Sequence, residues 1–327
     1  MVGTAGAVLI GAGVLALGLG EGVGDRSGVE RVALDPVSTS PAAADDATLG
    51  AVRQRVAPAV VTVDSAWTEA GSGVLVREDG IVLTSASLLG KGGPGTVGLP
   101  DGEAAAAEVV GVDPVTGLGV LDLAGDGYPT AALSPQAQLI EGEAAFTVSS
   151  GLTGGGTAVA ALVGTTRRYL TPQGDTLDAV VETTGSAPAR AVGAPLVTPE
   201  GEVAGIVAAV EEGSGTYVVP AEIAHKVSDD LLAQGAVEHC WLGIEGSSAT
   251  NGGVTVATVE ADSPAERGGL RPGDVLVTFD GRTIADVPDL MVALRSHSPG
   301  QRIDVAVERD DSRATVAITL GTLPDGD

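Results

Sequence analysis

The chain has 327 residues, with 43 acidic against 17 basic side chains and a formal net charge of −26. Such a field repels phosphate backbones and anionic lipid surfaces and argues against nucleic acid as a partner; the acidic excess reads as solubility for a Gly- and Ala-rich protein rather than as a recognition face. Hydrophobic residues at 44% allow sizeable cores, and aromatics at only 2% beside many β-branched runs make these small-residue β cores, so a mainly β fold in two domains of ordinary size is expected.

In chain order, Val2 to Gly20 carries no charged or strongly polar side chain except Thr4. Its length approaches the roughly 20 residues that span a bilayer, so residues 1–24 are expected to form a transmembrane or signal-anchor segment. No basic residue precedes it, and Arg26 and Arg31 follow it, so charge leaves its orientation unspecified. Residues 25–50 read as a flexible linker, since from Asp35 to Gly50 the sequence turns to Pro, Ser, Thr, Ala and Asp without apolar periodicity. Thr48 is expected to cap a short helix through Val56, stopped by Pro58.

Short strands with turn signals then recur through residues 51–220: Ala59–Val63, Val74–Val76, Ile81–Thr84, Glu108–Val112, Val120–Leu123, Ala144–Val148, Ala158–Val163, Ala179–Thr183, Pro195–Thr198, Val203–Val210 and Thr216–Val219. So many strands without long helices between them predict barrels or sandwiches. From Ala221 the period becomes helical, with Ile223, Val227 and Leu231 on one face and Gly235 past the end, a connecting helix over 221–236. Residues 237–322 form a small α+β unit. There Ser263-Pro264-Ala265-Glu266 is a capping box, Asp280-Gly281 a tight hairpin and Asp286 the cap of a helix presenting Val287, Leu290 and Leu294; Arg302–Glu308 and Ala314–Leu320 form a closing hairpin.

Side chains able to do chemistry are sparse. The histidines are His225, His239 and His297, all beyond the strand-rich region. Ser72, Ser85, Ser87 and Ser186 therefore have no histidine in their own domain to activate them, Lys91 and Lys226 fall in no Ser/Lys motif, and the four read as ordinary loop serines. Asp113 and Asp122 read as strand-end and surface acids. The single cysteine, Cys240, excludes an intrachain disulfide; His239 beside it would point to the opposite face of a strand, so no metal site is expected and Cys240 reads as a small half-buried residue. Gly154-Gly155-Gly156 is a turn rather than a phosphate cradle, because no Lys-Ser/Thr follows it, and no cofactor is expected.

The last eighty or so residues resemble a PDZ domain. Trp241-Leu242-Gly243-Ile244 is similar to the carboxylate-binding loop, Ser263-Pro264-Ala265 through Gly269-Leu270-Arg271-Pro272-Gly273-Asp274 to the short helix and turn, and Asp280-Gly281 to the hairpin after it. A glycine loop of this kind aims backbone N–H groups at a peptide's C-terminal carboxylate, and the adjoining strand edge takes the peptide as an added strand. The resemblance implies that Leu242, Gly243 and Ile244 hold the terminus. Leu290 and Leu294 line the pocket for its last side chain, or else are merely core.

With the region before it, the order of membrane segment, linker, trypsin-like double β-barrel, helix and PDZ domain resembles the high-temperature-requirement (HtrA) family of envelope serine proteases, over about Val52 to Leu320. In that family a G-x-I-V-T-N-x-H-V-V stretch supplies the base; here Gly80-Ile81-Val82-Leu83-Thr84-Ser85-Ala86-Ser87-Leu88-Leu89 puts Ser87 where histidine belongs. V-D-P-x-T-D-L-A-V-L is similar to Val112-Asp113-Pro114-Val115-Thr116-Gly117-Leu118-Gly119-Val120-Leu121, with Gly117 in place of the orienting aspartate. G-N-S-G-G-P-L stands as Arg190-Ala191-Val192-Gly193-Ala194-Pro195-Leu196, with Val192 in place of the nucleophile. Losing such a triad costs on the order of 10⁶ in kcat.

The resemblance thus implies a catalytically degenerate family member on the outer side of the cytoplasmic membrane. Peptide C-termini or unfolded segments of envelope proteins are its expected partners, alongside homo-oligomers, trimers in that family. Two other readings stay open: a residual or unconventional serine endopeptidase, and a structural oligomerising protein.

Overall fold

The computed structural model describes residues 46–324 apart from 64–69, 91, 152–155, 171–175, 186, 212–214 and 311. The expected membrane segment and most of the expected linker lie outside these residues, and among those described no helix is long and apolar enough to cross a membrane. Helix α1 (Asp46–Val56) begins inside the expected linker, two residues before Thr48. Asp46 complements the positive end of the helix dipole, Arg53 and Arg55 the negative end, and burial of Val52 and Val56 anchors it.

The first barrel is built from β1 (Val60–Val63), β2 (Gly71–Leu75), β3 (Ile81–Ser85), β4 (Pro94–Gly98), β5 (Ala104–Asp113) and β6 (Leu118–Leu123), closed in the order β1-β2-β3-β6-β5-β4 with antiparallel pairing throughout. β1 to β3 overlap the strand runs expected at Ala59–Val63, Val74–Val76 and Ile81–Thr84, but β4 and the first half of β5 escaped the sequence pattern. Their residues, Pro-Gly-Thr-Val-Gly and a run of alanines, carry almost no apolar alternation. They form strands because β4 pairs with both β1 and β5 and shuts the barrel.

The second barrel repeats the plan with β7 (Ala144–Ser149), β8 (Thr157–Leu170), β9 (Thr176–Thr183), β10 (Pro195–Val197), β11 (Val203–Glu211) and β12 (Gly215–Pro220), closed as β10-β11-β12-β9-β8-β7. Helix α2 (Ala221–Gln234) follows, ending on Gly235 in the left-handed conformation. Its buried Ile223, Ala224, Val227 and Leu231 join one apolar core with residues of both barrels.

The C-terminal unit has its own core around Phe279, Leu276, Val305 and Ile318. Its main sheet runs β14 (Ile244–Ser248), β15 (Val254–Val259), β16 (Val275–Phe279), β18 (Arg302–Arg309), β19 (Ser312–Thr319), with β17 (Arg282–Thr283) pairing to β16. Between β16 and β17, Asp280 (φ 47°) and Gly281 (φ 80°) make the expected hairpin. Helix α3 (Pro264–Gly268) is capped by Ser263, whose Oγ accepts from Glu266 N at 3.1 Å, while the Glu266 carboxylate reaches Asp262 N at 2.7 Å, one residue earlier than a capping box requires. Asp286 caps α4 (Val287–Arg295) through Asp289 N. A two-residue ladder of β13 (Cys240–Trp241) with β20 (Gly321–Thr322) staples the unit's ends together. The far side of α4 packs on β9 and β8, so Val292 belongs to the barrel core, and Arg282 meets Glu222 of α2 at 2.7 Å.

Candidate functional site

Two places matter: the junction of the barrels and a cleft in the C-terminal unit. At the junction the fold brings Ser87, Gly117 and Val192 to one place. Ser87 sits exposed on a 3₁₀ turn (Ala86–Leu88) after β3, and Ala86 N donates to Gly117 O at 2.9 Å. Val192 O accepts from Ser72 N at 2.8 Å, and a Cβ placed on Gly71 would meet both Leu88 and Val192 O.

The three positions differ in what surrounds them. Ser85 Oγ donates to Ala208 O at 2.9 Å, so its lone pairs face Ser87, whose hydroxyl donates to it at 2.8 Å. That is a neutral hydroxyl pair. Gly117 has φ 76°, and an added Cβ would lie 2.8 Å from Leu177 Cδ2. Leu177, buried, fills the space a longer side chain at 117 would need. Val192 ends the 3₁₀ turn Ala189–Ala191, and its N–H donates to Ala189 O at 3.2 Å. An N–H held that way points at its own chain rather than at an oxyanion.

The remaining hydroxyls are not the loop serines expected. Ser72 and Ser85 lie on β2 and β3 and are buried; Ser72 Oγ donates to Arg190 O at 2.6 Å. Ser186 and Lys91 lie outside the described residues. Lys226 Nζ meets Asp230 Oδ2 at 2.5 Å and Glu238 O at 3.1 Å, far from any Ser/Lys pairing.

Asp122 is exposed as expected, but Asp113 is buried. His239 reaches back from beyond the barrels and sets Nε2 2.9 Å from Asp113 Oδ1, while Thr116 Oγ1 donates to Oδ2 at 2.5 Å. Burial alone would raise the Asp113 carboxyl; the His239 contact, by hydrogen bond and charge, and the Thr116 and Val115 bonds outweigh it and hold it below its ordinary value. No spacing in the sequence signals this pair, because 126 residues separate its members. His239 Nδ1 is buried without a partner among the described residues, so no serine receives help from it.

A Ser-His-Asp string occurs in the C-terminal unit. His297 Nδ1 lies 3.4 Å from Ser296 Oγ and Nε2 3.3 Å from Asp280 Oδ2. Nδ1 also lies 2.6 Å from Ala293 O, which can only accept. The proton therefore sits on Nδ1 and the ring cannot take one from Ser296.

The cleft of about 160 Å³ lies between β14 and α4 and is lined by Trp241, Leu242, Gly243, Ile244, Leu290 and Leu294, among others. All five residues expected to hold a peptide are thus brought together. Leu242 and Gly243 accept through their carbonyls from Ala265 N and Glu260 N, both at 2.9 Å; among the described residues neither N–H donates to a backbone carbonyl. Gly243 has φ 77°, and a Cβ there would fall 2.3 Å from Ser263 Cβ. Strand β14 is the edge of its sheet, exposed from Glu245 to Ser248. Leu290 and Leu294 are both cleft wall and core, 4% and 7% exposed. Cys240 is fully buried rather than half-buried, and burial pushes its thiol up to about 11 against the opposing pull of Lys226 and Arg295.

A trypsin-like peptidase domain matches residues 71–206 and a PDZ domain residues 240–320. Probable periplasmic serine endoproteases (DegP-like) of Ectopseudomonas mendocina and Pseudomonas fulva are 31% and 30% identical over 78% and 79% of the chain, and the chain spans 57% of each. The HtrA-type protease AlgW with tripeptide superposes with a TM-score of 0.63 at 26% identity, over 85% of this chain and 98% of that one; AlgW with decapeptide gives 0.59 at 24%. The chain belongs to the HtrA-like family, with a trypsin-like peptidase domain followed by a C-terminal PDZ domain.

Proposed function

We propose that this family member is a pseudoprotease, anchored in the cytoplasmic membrane by residues 1–24 with its folded part outside. Its working site is the PDZ cleft, which takes the C-terminus or an exposed strand of another envelope protein. In this role the protein acts as scaffold, adaptor or regulator in protein quality control, as a homo-oligomer. The observation that carries the reading is the junction of the barrels: Ser87, Gly117 and Val192 stand at the motif positions of base, acid and nucleophile, and none can fill those roles. The engaged Val192 N–H supports it further. An extracytoplasmic location draws support from the relatives described as periplasmic, and peptide capture from the peptide-bound AlgW structures.

A second reading, endopeptidase activity, is favoured by those same relatives, which are described as endoproteases. It would need a base for exposed Ser87, whose hydroxyl meets the neutral Ser85 hydroxyl at 2.8 Å.

A C-terminal peptide library tests the proposed site. With the chain at −26, apolar C-termini preceded by basic residues should enrich, and Gly243→Glu should abolish the enrichment. No enrichment, or enrichment indifferent to Gly243→Glu, would remove the cleft from the account.

A further inference from the structure

Among the described residues three large apolar side chains are exposed, Val112, Ile140 and Leu323, and of these Leu323 lines the cleft. An isolated exposed leucine is ordinary; a leucine whose backbone is pinned at the rim of an apolar cleft is placed there by the fold. Gly321 brings β20 close, since a Cβ there would fall 2.9 Å from Pro264 Cγ and 3.5 Å from the Trp241 ring. The ladder of Trp241 with Gly321 and Cys240 with Thr322 then gains one further bond, from Leu323 N to His239 O at 2.7 Å. Pro324 follows and biases Leu323 toward extended backbone. The other lining residues come from the stretch of β13 and β14, from β15 and from α4, so Leu323 adds a wall that neither the edge strand nor the helix supplies.

We infer that Leu323 is a specificity-determining residue of the cleft, the outer wall that sets the size of the one apolar side chain the cleft takes as its anchor. This rests on the cleft being the peptide site and deepens that reading. A volume of about 160 Å³ is close to that of a cavity of about 150 Å³ that admits benzene, so it houses a single side chain of leucine or phenylalanine size rather than a run of residues. Leu323 is 36% exposed. A ligand side chain set against it covers surface still in water, at no ordering cost to a backbone already fixed by β13. Covering about a third of a leucine corresponds to about twofold to fivefold in affinity. Replacing it changes the room at the rim without opening the core, because Leu323 is no member of the domain's buried cluster. The competing role is that of a bystander on the rim, which predicts an unchanged ranking of ligands.

The test uses the full chain and two labelled decapeptides, identical but for a terminal Leu or Phe, read by fluorescence anisotropy. Leu323→Ala opens the rim: it should weaken the Leu-ended peptide by about twofold to fivefold while the Phe-ended one holds or gains, so that the Phe-to-Leu affinity ratio rises. Leu323→Phe narrows the rim and should lower that ratio. A general loss of structure does not move one ratio in two directions, and thermal unfolding of both variants checks for it; if Leu323→Phe unfolds early, the ratio in Leu323→Ala decides. Ratios unchanged or reversed in folded variants would overturn the assignment of Leu323 and leave the cleft standing. Failure of wild type to bind either peptide would overturn the cleft, and this inference with it.

Discussion

His239 Nε2 sits 2.9 Å from Asp113 Oδ1, both side chains buried, and pins the entry of the PDZ domain to the end of β5. Together with α4 on β8 and β9 it ties the back of the cleft to the barrels.

Removing one partner leaves the other buried and unsatisfied, so Asp113→Ala should destabilise the chain by about 1–3 kcal/mol, seen as a lower midpoint in urea. The carboxyl is held below its ordinary 3.8 in the fold. Its contribution is therefore present above 3.8 and lost as pH falls through the lower folded value. The gap between wild type and Asp113→Ala should be constant at neutral pH and close on acidification below about 4; a gap that widened in acid would contradict the pair.

Within the PDZ domain, Asp274 is buried and takes Arg309 Nε and Nη2 at 2.6 Å each, with Arg271 N at 2.8 Å. Burial would raise this carboxyl, but Arg309 and the Arg271 N–H hold it down. Arg309→Leu strands a buried carboxylate and should cost about 3 kcal/mol. The loss should appear as early unfolding of the PDZ domain in hydrogen exchange, with barrel amides protected as before.

Restoring the three motif side chains should not restore chemistry. Aspartate at 117 would need a left-handed backbone and would strike Leu177, and serine at 192 would keep its N–H on Ala189 O. The Ser87→His/Gly117→Asp/Val192→Ser protein should resist labelling by a fluorophosphonate. Labelling at residue 192 would show that the frame had stayed competent.

Leu294→Ala separates the two roles of the α4 leucines. As a core residue it should lose about 2–4 kcal/mol of stability. As cleft wall it should also widen the tolerated terminal side chain, so that bulkier C-termini enrich in a peptide library relative to wild type.

Much of this was legible in the sequence because it rests on local rules. Asp280-Gly281, Ser263 and Asp286 announce a turn and two caps, the shared face of the α4 leucines follows from spacing, and the Trp241–Ile244 loop from the resemblance to a PDZ domain. The strands β4 and early β5 were invisible because barrel closure, not alternation, makes Pro-Gly-Thr-Val-Gly and four alanines extended. Asp113 reads as a strand-end acid, which it is, but its burial against His239 has no sequence signal because that partner lies in another domain. Ser72 and Ser85 read as loop serines because their hydroxyls are absorbed by carbonyls, Arg190 and Ala208, that no pattern pairs with them. The leading helix start moved for a similar reason, since buried Val52 and Val56 rather than a cap at Thr48 fix α1.

The central claim is that the barrels do no hydrolysis. Its most direct measurement is casein turnover by the full chain beside Ser87→Ala and Val192→Ala versions prepared identically. The account predicts three traces that cannot be told from the protein-free control. Cleavage by the wild-type chain that disappears in Ser87→Ala would contradict it.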